Sequence, residues 1–168
     1  KSTFLWQVLS DRLLQGVSRE SLLYFGFEDE RLAGMKAADL HILLEEYYRL
    51  HPGLRDIGRT VFFLDEIQNV PGWERFVRRL SDQGYKFYLT GSNASLLSQE
   101  LGTKLTGRYI AVELFPFSFR EFLKFKKIKP PQDKILMTVE RGRLKSAFNQ
   151  YLSQGGIPDA IKYPELPV

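Results

Sequence analysis

Two short stretches hold residue types that could do chemistry together. In "VFFLDEIQ", Asp65 and Glu66 come directly after four apolar residues. An acid delivered by a buried strand suits the carboxylate that holds a Mg2+-bound water in phosphoryl transfer. A glutamate beside it suits the base that draws a proton from an attacking water. The plainer alternative is two solvated carboxylates at a strand end. In "KSTFLWQVLSDRLL", Lys1, Ser2 and Thr3 stand at the mouth of an apolar helix. They match the last residues of the phosphate-binding pattern G-x-x-x-x-G-K-[ST], in which the lysine reaches the β- and γ-phosphates and the hydroxyl binds Mg2+. The free N–H groups and dipole of a helix N-terminus complete such an anion site. Taken alone, Ser2 reads better as a simple helix N-cap. The two stretches together favour the phosphate reading.

A third stretch, "YLTGSN", follows an apolar run with Thr90, Ser92 and Asn93. A small polar side chain there could orient the attacking water or touch the γ-phosphate. The same residues also make a turn, with Gly91 bending the chain and Asn93 capping the next helix. In "TKLTGRY", Arg108 comes after Gly107. It is either a surface charge or, in a homo-oligomer, an arginine finger acting in trans. His41 and His51 lack partners at ligand spacing, so Mg2+ is the one metal expected. Trp6 and Trp73 read as helix-face packing residues. Arg75, Arg78, Arg79 and Lys86 make one basic cluster, and Lys124, Lys126, Lys127 and Lys129 another. Phe122 and Phe125 interleave the second, a pattern that also suits nucleic acid. Solvated helix faces with snorkelling lysines are the simpler account.

Periodicity supplies the elements that must position these groups. Ser2–Leu14 reads as a helix stopped by Gly16, Ser21–Phe27 as a buried strand, and Met35–Leu50 as an amphipathic helix. Thr60–Val70 reads as a strand, "GWERFVRRLSDQG" as a helix, Tyr85–Asn93 as a strand and "ASLLSQEL" as a short helix. Arg108–Phe117 reads as a fourth strand, broken by Pro116. Strands alternating with helices predict an α/β protein with a parallel sheet covered on both faces. Their continuously apolar composition agrees, since such strands are buried on both sides. The alternation begins on a helix, where a βα unit would begin on a strand. Further on, "SFRE" is a capping box that opens a helix over Phe119–Phe125. "KFKKIKPPQDK" is a basic connector, and "VERGRLKSAFNQYLSQGG" is a helix ended by paired glycines. A boundary is therefore expected near 129–133, dividing a nucleotide-binding core (1–129) from the start of a helical lid or C-terminal region (130–168).

The chain has 168 residues, of which 43% are hydrophobic and 26% charged, a balance that suits a globular domain with a real core. No apolar run reaches the roughly 20 residues of a membrane span. The absence of cysteine rules out disulfides and thiolate metal sites, and fits a reducing, cytoplasmic setting. The net charge of +4 is compatible with a phosphate-bearing partner.

Taken together, "KST" before a helix, "FLDEIQNVPGWE", "YLTGSN", "GRYIAVELFPFSFREFL" and "GGIPDAI" resemble the predicted prokaryotic AAA+ superfamily ATPases that carry a C-terminal domain of poorly known function. The resemblance implies a three-layer P-loop NTPase fold with strand order 5-1-4-3-2. It implies ATP and Mg2+ as cofactors. Lys1, Ser2 and Thr3 would close the Walker A motif, with Ser2 on the metal. Asp65 and Glu66 would form Walker B, "TGSN" with Asn93 would be the sensor, and Arg108 the finger. The first strand and Gly-rich loop of that pattern are not among the 168 residues, so the expectation is a fragment cut at both ends. The other function class consistent with the residues is a nucleic-acid-binding or regulatory interaction module that uses the fold with little or no ATP turnover.

Overall fold

The computed structural model describes residues 1–55, 59–91, 109–129 and 138–163. The chain divides into two compact units, Lys1–Val112 and Glu113–Val168.

The first unit is built on three parallel strands. β1 (Leu22–Gly26), β2 (Val61–Asp65) and β3 (Lys86–Leu89) lie in the order β1-β2-β3. Leu22 is in register with Val61, and Val61 with Lys86. This order is the 4-3-2 part of the series the resemblance implies. Because side chains alternate along a strand, each strand feeds two cores. On one face Leu22 and Phe63 meet Leu5 of helix α1 (Ser2–Leu14), with Tyr24, Val61 and Tyr88 packed around them. On the other face Leu23, Phe62 and Leu64 meet helices α2 (Asp39–Leu50) and α3 (Trp73–Asp82). The result is three layers: α1, the sheet, and the α2/α3 pair. Phe63, with no exposed surface, lies at the centre of the sheet. Burying such a side chain contributes roughly 1.5–3 kcal/mol, so the middle strand anchors the unit.

Several boundaries differ from the sequence reading. β2 ends at Asp65, not Val70, because Glu66 turns left-handed and Ile67–Asn69 form a 3-10 turn, and β3 ends at Leu89. α2 begins at Asp39, not Met35, because residues 36–39 close a turn of their own. The Lys36 amide donates to the Asp39 carboxylate at 2.8 Å, and the Asp39 amide donates to the Lys36 carbonyl at 2.9 Å. The fourth strand is a correction: residues 109–117 form no strand. Ile110 and Phe115 are 93% and 73% exposed there. In the implied order that strand pairs with the first strand of the pattern, and none of the three strands present is that neighbour. Apolar content alone does not make a strand without an edge to bond.

The second unit holds helices α4 (Phe119–Phe125), α5 (Thr138–Gln154) and α6 (Pro158–Lys162). Phe122, Leu123, Ala147 and Ile161 form its core. The capping box that opens α4 is complete: Ser118 accepts from the Glu121 amide, and Glu121 accepts from the Ser118 amide at 2.8 Å. The helix placed in the core by the sequence reading thus packs with the C-terminal helices. Gly156 is required by close approach, since a Cβ there would lie 2.3 Å from the Phe117 carbonyl oxygen. That contact accompanies a 2.7 Å hydrogen bond from the Phe117 amide to the Gly156 carbonyl.

Candidate functional site

Parallel strands end on one side, so β1, β2 and β3 bring their C-terminal ends to a common edge, where open α/β sheets bind ligands. Asp65, the last residue of β2, is 1% exposed. A carboxylate buried so deeply must be hydrogen-bonded. The Tyr24 hydroxyl donates to its Oδ2 at 2.9 Å, and the Thr90 hydroxyl donates to its Oδ1. Ser2, in the first turn of α1, lies close enough to the same carboxylate to help stabilise its charge. Burial pushes the Asp65 pKa up, but the hydroxyls of Thr90, Ser2 and Tyr24 outweigh it and hold the group below its ordinary value. Asp65 is therefore ionised at neutral pH.

Glu66 follows with φ 52° and ψ 41°, a left-handed conformation uncommon for a residue with a side chain. Such a conformation survives when neighbours enforce it, and here they do. The Glu66 amide donates to the Thr90 hydroxyl at 3.3 Å, and the Ile67 amide to the Thr90 carbonyl at 3.3 Å. The Gln68 side chain donates to the Glu66 carboxylate. The turn from β2 is thus fixed by the end of β3, and one hydroxyl, that of Thr90, holds both members of the acid pair.

Lys1 caps α1 and extends its ammonium to the Gly91 carbonyl at 2.6 Å. Residues from three distant parts of the chain, 1–2, 65–66 and 90–91, therefore meet at one edge. Thr3 is exposed in the first turn of α1, beside Ser2. Asn93 and Arg108 lie outside the described residues. Sequence reasoning missed Tyr24. A polar tip inside an apolar strand, two residues before its end, was the available signal, because a buried tyrosine hydroxyl seeks a partner. Burial, then its bond to Asp65, pushes the Tyr24 pKa up to about 12.

The donors suit a hard cation held together with phosphates. Among the described residues no group of three or more His, Cys, Asp or Glu forms an all-protein cage. Mg2+ needs none, since it keeps several waters and takes one or two carboxylates plus phosphate oxygens. Asp65 and the Ser2 hydroxyl meet that need.

A three-layer α/β unit whose parallel sheet presents Lys-Ser and Asp-Glu at one edge defines a P-loop NTPase-like domain. A family model described as "AAA domain" matches residues 1–123. The chain belongs to that AAA domain family, an ATPase-like class. It is 37% identical over 160 residues to the uncharacterized protein MJ1544 of Methanocaldococcus jannaschii, covering 95% of this chain and 33% of that protein. It is 34% identical over 167 residues to an uncharacterized protein of Haemophilus influenzae, covering 98% of this chain and 38% of that one. The chain thus spans little more than a third of these curated relatives. No solved structure matches it significantly. No helix among the described residues is long and apolar enough to cross a membrane.

Proposed function

We infer that the protein binds ATP with Mg2+ and hydrolyses it. The observation that carries this is the meeting of Lys1, Ser2, Asp65 and Glu66 at one sheet edge, where Lys1 bonds Gly91 and the neighbouring Thr90 bonds both acids. Lys1 would pair with the β- and γ-phosphates, and the α1 N-terminus would add its free N–H groups. Ser2 and Asp65 would hold Mg2+, Thr3 would lie beside the phosphates, and Glu66 would take the proton from the attacking water. The new bond forms between that water oxygen and the γ-phosphorus, and the bond to the bridging oxygen breaks, giving ADP and phosphate. Bound Mg2+ supplies charge neutralisation on the phosphates. Asn93 would orient the water. Arg108 of a neighbouring copy would meet the transition-state charge, which makes the working form a homo-oligomer.

The test is ATP affinity in the full-length protein with Lys1→Ala. The expected outcome is binding weaker by about tenfold or more, because a charged hydrogen bond to phosphate contributes roughly 1.5–3 kcal/mol. Wild-type affinity in this variant would remove Lys1 from the site.

A second reading, a nucleic-acid-binding module without turnover, has one feature behind it. Arg75, Arg78 and Arg79 lie exposed on α3 and form no ion pair among the described residues. A salt series of DNA affinity separates the two: a steep slope without nucleotide dependence belongs to this second reading.

A further inference from the structure

We propose that Tyr24 is a positioning residue of the nucleotide site: its hydroxyl, bonded to Asp65 Oδ2, fixes how the Asp65 carboxylate faces Mg2+. This rests on the ATP–Mg2+ reading above and deepens it.

A carboxylate has two oxygens and about four lone-pair positions. Tyr24 takes one on Oδ2 at 2.9 Å, and Thr90 takes one on Oδ1. With a donor on each oxygen the carboxylate plane cannot rotate. About two lone-pair positions then remain, one on each oxygen, for Mg2+ or a water it holds.

Tyr24 is itself held. It faces α1, where its ring lies 4.0 Å from that of Trp6, centroid to centroid. Trp6 stands one helical turn beyond Ser2 on the same helix. α1 therefore braces the Tyr24 ring through Trp6. Thr90 supplies the same restraint from β3's end, so Tyr24 is the contribution of β1. Removing its hydroxyl leaves Oδ2 free to swing while the ring stays packed.

The experiment is a Mg2+ titration of binding of a fluorescent ATP analogue to the full-length protein, with Tyr24→Phe and Tyr88→Phe compared to wild type. Tyr24→Phe keeps the ring and loses the hydroxyl. It should need about tenfold more Mg2+ for half-saturation, while metal-free binding stays at the wild-type level. Tyr88→Phe removes a hydroxyl in the same cluster that bonds Arg12 and not Asp65, and should titrate as wild type. An unchanged Mg2+ midpoint in Tyr24→Phe overturns the proposal, as do equal shifts in both variants, which would mean packing alone. A wild-type protein with no Mg2+-dependent binding overturns the nucleotide reading, and this proposal with it. Should Tyr24→Phe fail to fold, 3-fluorotyrosine incorporated at position 24 gives a second measurement. Its fluorine resonance should move when Mg2+ and nucleotide are added together, and a fixed resonance overturns the proposal.

Discussion

At the scale of the residue, the site is a solution to one problem: keeping Asp65 charged while fully buried. Thr90 does the most. Its hydroxyl donates to Asp65 and accepts from the Glu66 amide, and its backbone carbonyl accepts from Ile67. Thr90→Val keeps the shape and removes both hydroxyl bonds. A buried carboxylate that loses a partner costs about 1–3 kcal/mol, so the first unit should melt several degrees lower. Thr90→Ser should recover most of that loss in a calorimetric melt. Equal melting of wild type and Thr90→Val would mean that the hydroxyl is not what satisfies Asp65. How the sequence announces these roles is uneven. Asp65 and Glu66 are legible because charge following four apolar residues is unusual. Tyr24 is not, because a tyrosine in an apolar strand has the same spelling whether its hydroxyl meets a carboxylate or solvent. The left-handed turn at Glu66 was equally hidden, since nothing in "LDEIQ" supplies the glycine that such a turn normally calls for.

At the scale of the element, local signals transmitted well where the chain itself satisfies them. α1 starts and ends where its apolar period and Gly16 place it, and Trp73, Phe76, Val77 and Leu80 are buried on α3 as spacing predicts. The capping box of α4 is another such signal, and it carries a pH dependence. Bonds from the Ser118 hydroxyl and amide hold the Glu121 pKa below its ordinary 4.5. A carboxylate whose folded pKa is depressed stabilises the helix above the unfolded value and loses that contribution as pH falls through the folded one. The Ser118 amide proton should therefore shift with a midpoint below 4.5 in an NMR titration, and Glu121→Gln should abolish the step. A midpoint at or above 4.5 would mean that the reciprocal bond is not formed. Residues 109–117 mark the opposite case. Their β-prone composition predicts a strand, but strand formation needs a partner edge, and that information is not local.

At the scale of the whole molecule, the parallel three-layer unit was legible because each strand reads as continuously apolar and each connection as a helix. The meeting of residues 1–2, 65–66 and 90–91 follows from that topology, since every parallel strand ends at the same edge. The family match runs over residues 1–123, past the end of the first unit and into the second. The relatives are longer than this chain, which covers 33% and 38% of the two above. Tests of turnover therefore use the full-length protein. In the proposed function Glu66 acts on water at an edge where Lys1, Ser2 and Asp65 hold ATP and Mg2+. Phosphate release and ATP binding measured together on full-length Glu66→Gln test it most directly. The expected result is binding at wild-type affinity with hydrolysis reduced about 100-fold or more, as loss of a general base does. Hydrolysis at the wild-type rate in that variant would contradict it.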